Sequence, residues 1–164
     1  MIADYIRKLI FDHFEHTPTP DQELAARVLS DFVSAETDNC TMLLKGYAGT
    51  GKTTLIASFI NMARISGLNV VLMAPTGRAA KVLAGYSGCE AFTIHKRIYR
   101  QTAGGEFAGS YNLGYNKESD TIYIVDEASM IGGQSSDNSQ FGTGNLLDDL
   151  LEFVFSGHRC KLLL

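Results

Sequence analysis

Gly46-Tyr47-Ala48-Gly49-Thr50-Gly51-Lys52-Thr53-Thr54 lies between the apolar run Thr41-Met42-Leu43-Leu44 and the apolar-periodic stretch Leu55-Ile56-Ala57-Ser58-Phe59-Ile60. It fits the phosphate-loop pattern G-x-x-x-x-G-K-[ST] in the strand–loop–helix context that pattern needs. Glycines let the backbone curl so that its N–H groups face one point, and the following helix adds its positive end. On this reading residues 46–54 bind a nucleotide: Lys52 reaches the β and γ phosphates and the Thr53 hydroxyl binds Mg²⁺. The plainer alternative is a glycine-rich turn before a helix.

Working outward, Val70-Val71-Leu72-Met73-Ala74-Pro75 and Thr121-Ile122-Tyr123-Ile124-Val125 are short continuous apolar runs. Strands covered on both faces read this way. Helical stretches alternate with them, which predicts an α/β fold with a parallel sheet and crossover helices. Ligands in such sheets bind at the carboxyl ends of the strands. The phosphate loop, Pro75-Thr76 and Asp126-Glu127 all fall there.

Toward the start, Ile2, Tyr5, Ile6, Leu9, Ile10 and Phe14 recur at helical spacing, so residues 1–16 are expected to form an amphipathic helix. Thr19 and Pro20 then open a second helix whose expected buried stripe is Leu24, Ala25, Val28, Leu29, Phe32 and Val33. Between Gln101 and Asp120, Phe107, Tyr111, Leu113 and Tyr115 alternate with small or polar residues, as in a hairpin. Residues 132–140 read as a polar, turn-rich insertion. Leu146, Leu147, Leu150, Leu151 and Val154 mark a last helix capped by Asn145.

The 164 residues suffice for one domain with a real core. No apolar run approaches the ~20 residues of a membrane span. Cys40, Cys89 and Cys160 fit no zinc or disulfide spacing, so free thiols and a cytoplasmic setting are expected. The net charge of −4 argues mildly against a stand-alone DNA-binding module. Even so, Arg78, Lys81, Lys96, Arg97 and Arg100 concentrate basic charge in mid-chain.

Asp126-Glu127 closes a strand well downstream of a phosphate loop, which is the Walker B form. Asp126 is expected to hold Mg²⁺ and Glu127 to act as general base toward the attacking water; the alternative is a solvated acidic pair. Gln22 has two readings. Its carboxamide suits adenine, yet Thr19-Pro20-Asp21-Gln22 also satisfies a capping box, and one side chain is not expected to do both. Thr76–Lys81 reads either as a phosphate-binding helix start or as an ordinary capped helix with basic surface residues. His95 alone reads more readily as a packed side chain than as a ligand. The aromatics at 107, 111 and 115 suit hairpin packing or base stacking.

Gly46–Thr54, Ala74-Pro75-Thr76-Gly77-Arg78-Ala79-Ala80-Lys81, Thr93-Ile94-His95 and Val125-Asp126-Glu127-Ala128-Ser129-Met130 occur in that order. Together they resemble the first motor domain of superfamily 1 DNA helicases, in the RecD-like branch related to the exodeoxyribonuclease V alpha subunit. The resemblance covers residues 17–164 and implies a P-loop NTPase (RecA-like) three-layer sandwich that uses ATP and Mg²⁺. It implies adenine recognition by Gln22. It also implies single-stranded DNA contacts at Pro75, Thr76, Gly77, Arg78, Lys81, Thr93 and His95, and stepping along DNA in a repair or recombination setting. Family members continue into a Gly-Asp-x-x-Gln-Leu-Pro segment and a second motor domain. This chain is therefore expected to be the C-terminally truncated part of a helicase, with weak turnover. Residues 161–164 are expected to form a central strand, leaving a sheet edge open to self-association. A small-molecule kinase on the same fold would need an arginine-rich lid, which the Ser/Gly/Asn loop after Asp126-Glu127 does not supply. A nucleotide-binding assembly module without turnover is the other alternative.

Overall fold

The computed structural model describes residues 2–14, 16–37, 39–101, 111–132 and 141–164. Its centre is a five-stranded, all-parallel sheet in the order β1 (Cys40–Met42), β7 (Lys161–Leu163), β6 (Thr121–Val125), β2 (Asn69–Ala74), β3 (Ala91–Thr93). The expected central placement of residues 161–164 is realised: β7 lies between the phosphate-loop strand and the Walker B strand. Pairing with β1 runs past the formal strand ends, from Leu164 N to Met42 O and from Leu44 N to Leu164 O.

Alternation along these strands builds two cores. Leu72, Ile122, Ile124 and Leu163 face one side, under α1 (Ile2–Asp12), α2 (Pro20–Ser34), α3 (Lys52–Ile65) and α4 (Gly77–Ser87). Met73, Tyr123, Val125 and Leu162 face the other, under α5 (Ile94–Ile98) and α6 (Leu146–Phe155). A period of two in the strands therefore yields a helix–sheet–helix sandwich. This is the expected α/β, P-loop NTPase class. No helix among the described residues is long and apolar enough to cross a membrane. The three cysteines are free thiols.

Asn145 caps α6 as expected, its Oδ1 accepting from Leu147 N and Asp148 N. The expected hairpin is present as β4 (Tyr99–Gln101) paired antiparallel with β5 (Tyr111–Leu113). Phe107 and residues 133–140 of the polar insertion lie outside the described residues. Tyr115 falls beyond the hairpin and is exposed.

The helical stripes near the start are realised in part, with Leu9, Phe14, Ala25 and Val33 packed against the core beside the buried residues. In α1 only Ile6 and Ile10 are buried, while Ile2 and Tyr5 are exposed. In α2 the buried residues are Ala26, Leu29, Ser30 and Phe32, with Leu24 and Val28 left in solvent. At the start of α2, Gln22 Nε2 donates to Thr50 O of the phosphate loop at 3.2 Å. Positions 26, 29 and 30 follow Gln22 at helical intervals and turn inward with it.

The far end of α2 is held by a lysine from the central strand. Lys161 Nζ donates to Phe32 O (2.6 Å), Val33 O (3.0 Å) and Ala35 O (2.6 Å). A cation among the carbonyls of a helix C-terminus satisfies acceptors the helix cannot use itself. Lys161→Met keeps the apolar stem and removes all three bonds. It is expected to lower unfolding stability by about 2–3 kcal/mol, read as a shifted urea midpoint.

Candidate nucleotide site

Four helices begin with a side chain that accepts from their own first turn: Thr19 for α2, Thr76 for α4, Thr93 for α5 and Asn145 for α6. Helix α3 does not. It starts from Gly51 in the left-handed region (φ 80°) with no side-chain cap, so its first-turn N–H groups face the loop. The left-handed φ favours glycine, and a Cβ at Gly51 would collide with the Gln22 amide. At Gly46 a Cβ would come to 2.9 Å from Thr50 Oγ1, so the loop closes tightly at both ends.

The loop has an internal scaffold. Thr50 Oγ1 donates to Tyr47 O at 2.8 Å, and Lys52 Nζ donates to Gly46 O (2.5 Å) and Tyr47 O (2.8 Å). The ammonium is thus held over the mouth of the curl, while Thr53 and Thr54 are exposed. Tyr47 is 89% exposed, Ala48 and Gly49 (φ 78°) are exposed beside it, and a Cβ at Gly49 would meet open space.

Of its two readings Gln22 realises the capping box, and both ends of its carboxamide are engaged within the protein. Its Oε1 accepts from Thr19 N at 2.9 Å to complete the capping box, and its Nε2 reaches Thr50 O.

Asp126 follows β6, and Asp126 N donates to Met73 O, extending the β2 pairing. Its carboxylate lies on the same sheet face as Ile122 and Ile124, the α3 side. Oδ1 accepts from Glu127 N at 2.9 Å and Oδ2 from the Tyr86 hydroxyl at 2.7 Å. Burial, and then this bond to a carboxylate, push the Tyr86 phenol well above its ordinary range, so it remains a donor. Glu127 is exposed and left-handed (φ 56°, ψ 36°), where it opens a short 3-10 turn, Ala128–Met130.

Thr53 and Asp126 offer hard oxygen donors at the ends of α3's first turn and β6. That suits Mg²⁺, which takes one or two protein oxygens together with phosphates and water. No cluster of three or more His, Cys, Asp or Glu occurs among the described residues.

The segments read as DNA contacts are partly brought together. Gly77, Ala80 and Lys81 of α4 line a cavity of about 290 Å³ together with Phe92, Thr93 and Lys96. Lys96 Nζ sits 5.3 Å from the Phe92 ring centroid. Arg78 is exposed beside it, and Pro75 is half-buried ahead of α4. Thr76 and Thr93 both also cap helices, accepting from Ala79 N and Lys96 N.

His95 goes elsewhere. Its ring packs 5.6 Å from Tyr99 and 5.1 Å from Phe141, within an aromatic group completed by Tyr111. Tyr99 in turn donates to the fully buried Asp149 at 2.6 Å. Two groups were missed from sequence: Tyr86, which looks like a surface residue of a basic helix, and Asp149, which looks like one of several acids on α6.

Residues 20–138 match the family described as AAA domain. The chain is 35% identical over 91 residues to the ATP-dependent RecD2 DNA helicase of Deinococcus radiodurans, covering 56% of this chain and 12% of that protein. It is 54% identical over 54 residues to the ATP-dependent DNA helicase dda of Enterobacteria phage T4, covering 32% of this chain and 12% of that protein.

Two expectations follow. Burial lowers the His95 pKa, so the folded state holds a neutral ring while the unfolded chain takes up a proton near the ordinary value of 6.5. That contribution is present above this value and is lost as pH falls below it. His95→Gln is expected to lose less urea resistance than the wild type on moving from about pH 7 to about pH 5.5. At position 127, Glu127→Gly relieves a left-handed non-glycine residue and is expected to gain about 1 kcal/mol of stability in the same assay.

Proposed function

The chain belongs to the AAA domain family, on its superfamily 1 RecD-like helicase side, and from that premise we propose that it binds Mg·ATP at residues 46–54. On the same reading it hydrolyses ATP as the motor domain of an ATP-dependent DNA helicase. The observation that carries the reading is the uncapped start of α3 behind two left-handed glycines, set against four side-chain-capped helices. An anion is what such an end lacks.

Lys52 moves from its loop carbonyls to the β and γ phosphates and balances their charge. The N–H groups of α3's first turn and of the loop hold the remaining phosphate oxygens. Thr53 Oγ1 and Asp126 would hold Mg²⁺, which when bound would supply positive charge beside the phosphates. Strands β1 and β6 are separated only by β7, so their ends lie about 10 Å apart, a gap a metal–phosphate unit can span. Glu127, exposed at the end of β6, orients the attacking water and accepts its proton. Gln22, already tied to the loop through Thr50 O, offers a carboxamide to adenine once it releases one of its two partners.

Single-stranded DNA is the proposed track. The cavity between α4 and β3 supports it, with Lys81 and Lys96 for phosphates. Lys96 lies over the Phe92 ring and would have to leave it for a base to stack there, and Glu90 adds one negative charge to the lining. Pro75, Thr76, Gly77, Arg78 and Thr93 border that groove. His95 contributes to this reading by holding the α5 side in place. Strand β1 pairs on one side only among the described residues, and the exposed Leu43 beside it supports self-association along that edge.

Calorimetric titration with Mg·ATP tests the assignment. Lys52→Ala is expected to weaken binding at least tenfold, and equal heats for the two proteins would remove residues 46–54 from the site. Glu127→Gln is expected to bind as the wild type does while losing on the order of 100-fold in whatever hydrolysis the chain supports.

A further inference from the structure

Asp126 is anchored at both oxygens. One anchor is local, the Glu127 N–H on Oδ1. The other comes from 40 residues away, where the Tyr86 hydroxyl donates to Oδ2 at 2.7 Å from the last turn of α4. Neither the phosphate-loop motif nor the Asp-Glu pair calls for a tyrosine there.

We propose that Tyr86 is a positioning residue for the Asp126 carboxylate, and that through it α4 couples the metal-binding end of β6 to the cavity at its own N-terminal end. The proposal rests on the Mg·ATP reading of residues 46–54 and Asp126.

The chemistry favours positioning over blockade. A carboxylate offers about four lone-pair sites, so two hydrogen bonds leave room for a metal or its water. A carboxylate held from both sides also loses less rotational freedom when it takes up a ligand. The bond is short, charge-assisted and half-buried, which makes it a stiff constraint.

The helix supplies the lever. Helix α4 spans 11 residues and is seated in the core through Leu83 and Tyr86. Its first turn carries Gly77 and, one turn on, Lys81, both lining the cavity shared with Thr93 and Lys96. A ligand that shifts this end moves the hydroxyl at the other end. Because coupling between two binding events is reciprocal, metal at Asp126 must then affect the groove to the same degree.

The test is a Mg²⁺ titration of the affinity for a fluorescent ADP analogue, on the full chain, preceded by a measurement in EDTA. Tyr86→Phe is expected to stay folded, to keep the metal-free affinity, and to raise the half-saturating Mg²⁺ by roughly tenfold. In an Asp126→Asn background the same change is expected to have no further effect. A short oligo(dT) is expected to lower the Mg²⁺ midpoint of the wild type and leave that of Tyr86→Phe where it was. An unchanged or lowered midpoint in Tyr86→Phe, or an equal loss in the Asp126→Asn background, overturns the positioning role. An equal oligo(dT) effect on both proteins overturns the coupling. If the wild type binds no analogue with or without Mg²⁺, the nucleotide reading itself fails and takes this proposal with it; Mg²⁺-sensitive binding that is identical in both proteins removes Tyr86 alone.

Discussion

The hydrogen bonding of β7 between β1 and β6 is the constraint on which the site depends. The phosphate loop leaves β1 and the acidic pair leaves β6, and these two strands never touch. Only because Leu162 pairs with Thr41 on one side and Tyr123 on the other do both strands end at the same edge. A one-residue slip of β7 would turn Leu162 and Leu163 to the wrong faces and empty a position in each core. It would also withdraw Lys161 from the carbonyls of α2. The same three residues therefore set the spacing of the site, separate the two cores and hold the end of a helix.

Helix α2 is fastened at both ends by contacts from elsewhere. Lys161 takes its C-terminal carbonyls, and Gln22 ties its first turn to Thr50 O. These add to the burial of Ala26, Leu29 and Phe32 in fixing its rotation, which leaves Leu24 and Val28 in water and places Ser30 inside. Ser30 can be buried since its hydroxyl donates to Ala26 O at 2.7 Å. Gln22 accordingly sits on the loop whether or not it meets a base, so losing it would disturb the 46–51 loop itself.

What was legible in the sequence was what depends on near neighbours along the chain. The phosphate loop, the apolar strands, the cap at Asn145 and the order of motifs all obey short spacings, and the structure realises them. The central position of residues 161–164 was legible only through family resemblance, because no local pattern says which strand lies between which. The stripes of α1 and α2 were legible in part. Ile6, Leu9, Ile10 and Phe14, and Ala25, Leu29, Phe32 and Val33, lie in or against the core. Ile2, Tyr5, Leu24 and Val28 stay in water because both helices carry more apolar residues than one face can hold. His95 was legible as a packed side chain, but its partner Phe141 and the partners of Tyr86 and Asp149 were not. All three depend on partners about 40 or more residues away, and nothing in a tyrosine or an aspartate by itself announces such a partner.

Capping and strain point to the same edge. Helices α2, α4, α5 and α6 close their own first turns with threonine or asparagine. Helix α3 leaves its first turn without a side-chain cap, and Glu127 holds a left-handed conformation that a glycine would adopt at lower cost. Neither feature stabilises the folded chain. A sequence selected for stability alone would place a capping side chain ahead of Lys52 and a glycine at 127. That both departures lie at the carboxyl ends of strands two positions apart, with Asp126 anchored beside one of them, is the pattern expected where binding and hydrolysis set local geometry against stability.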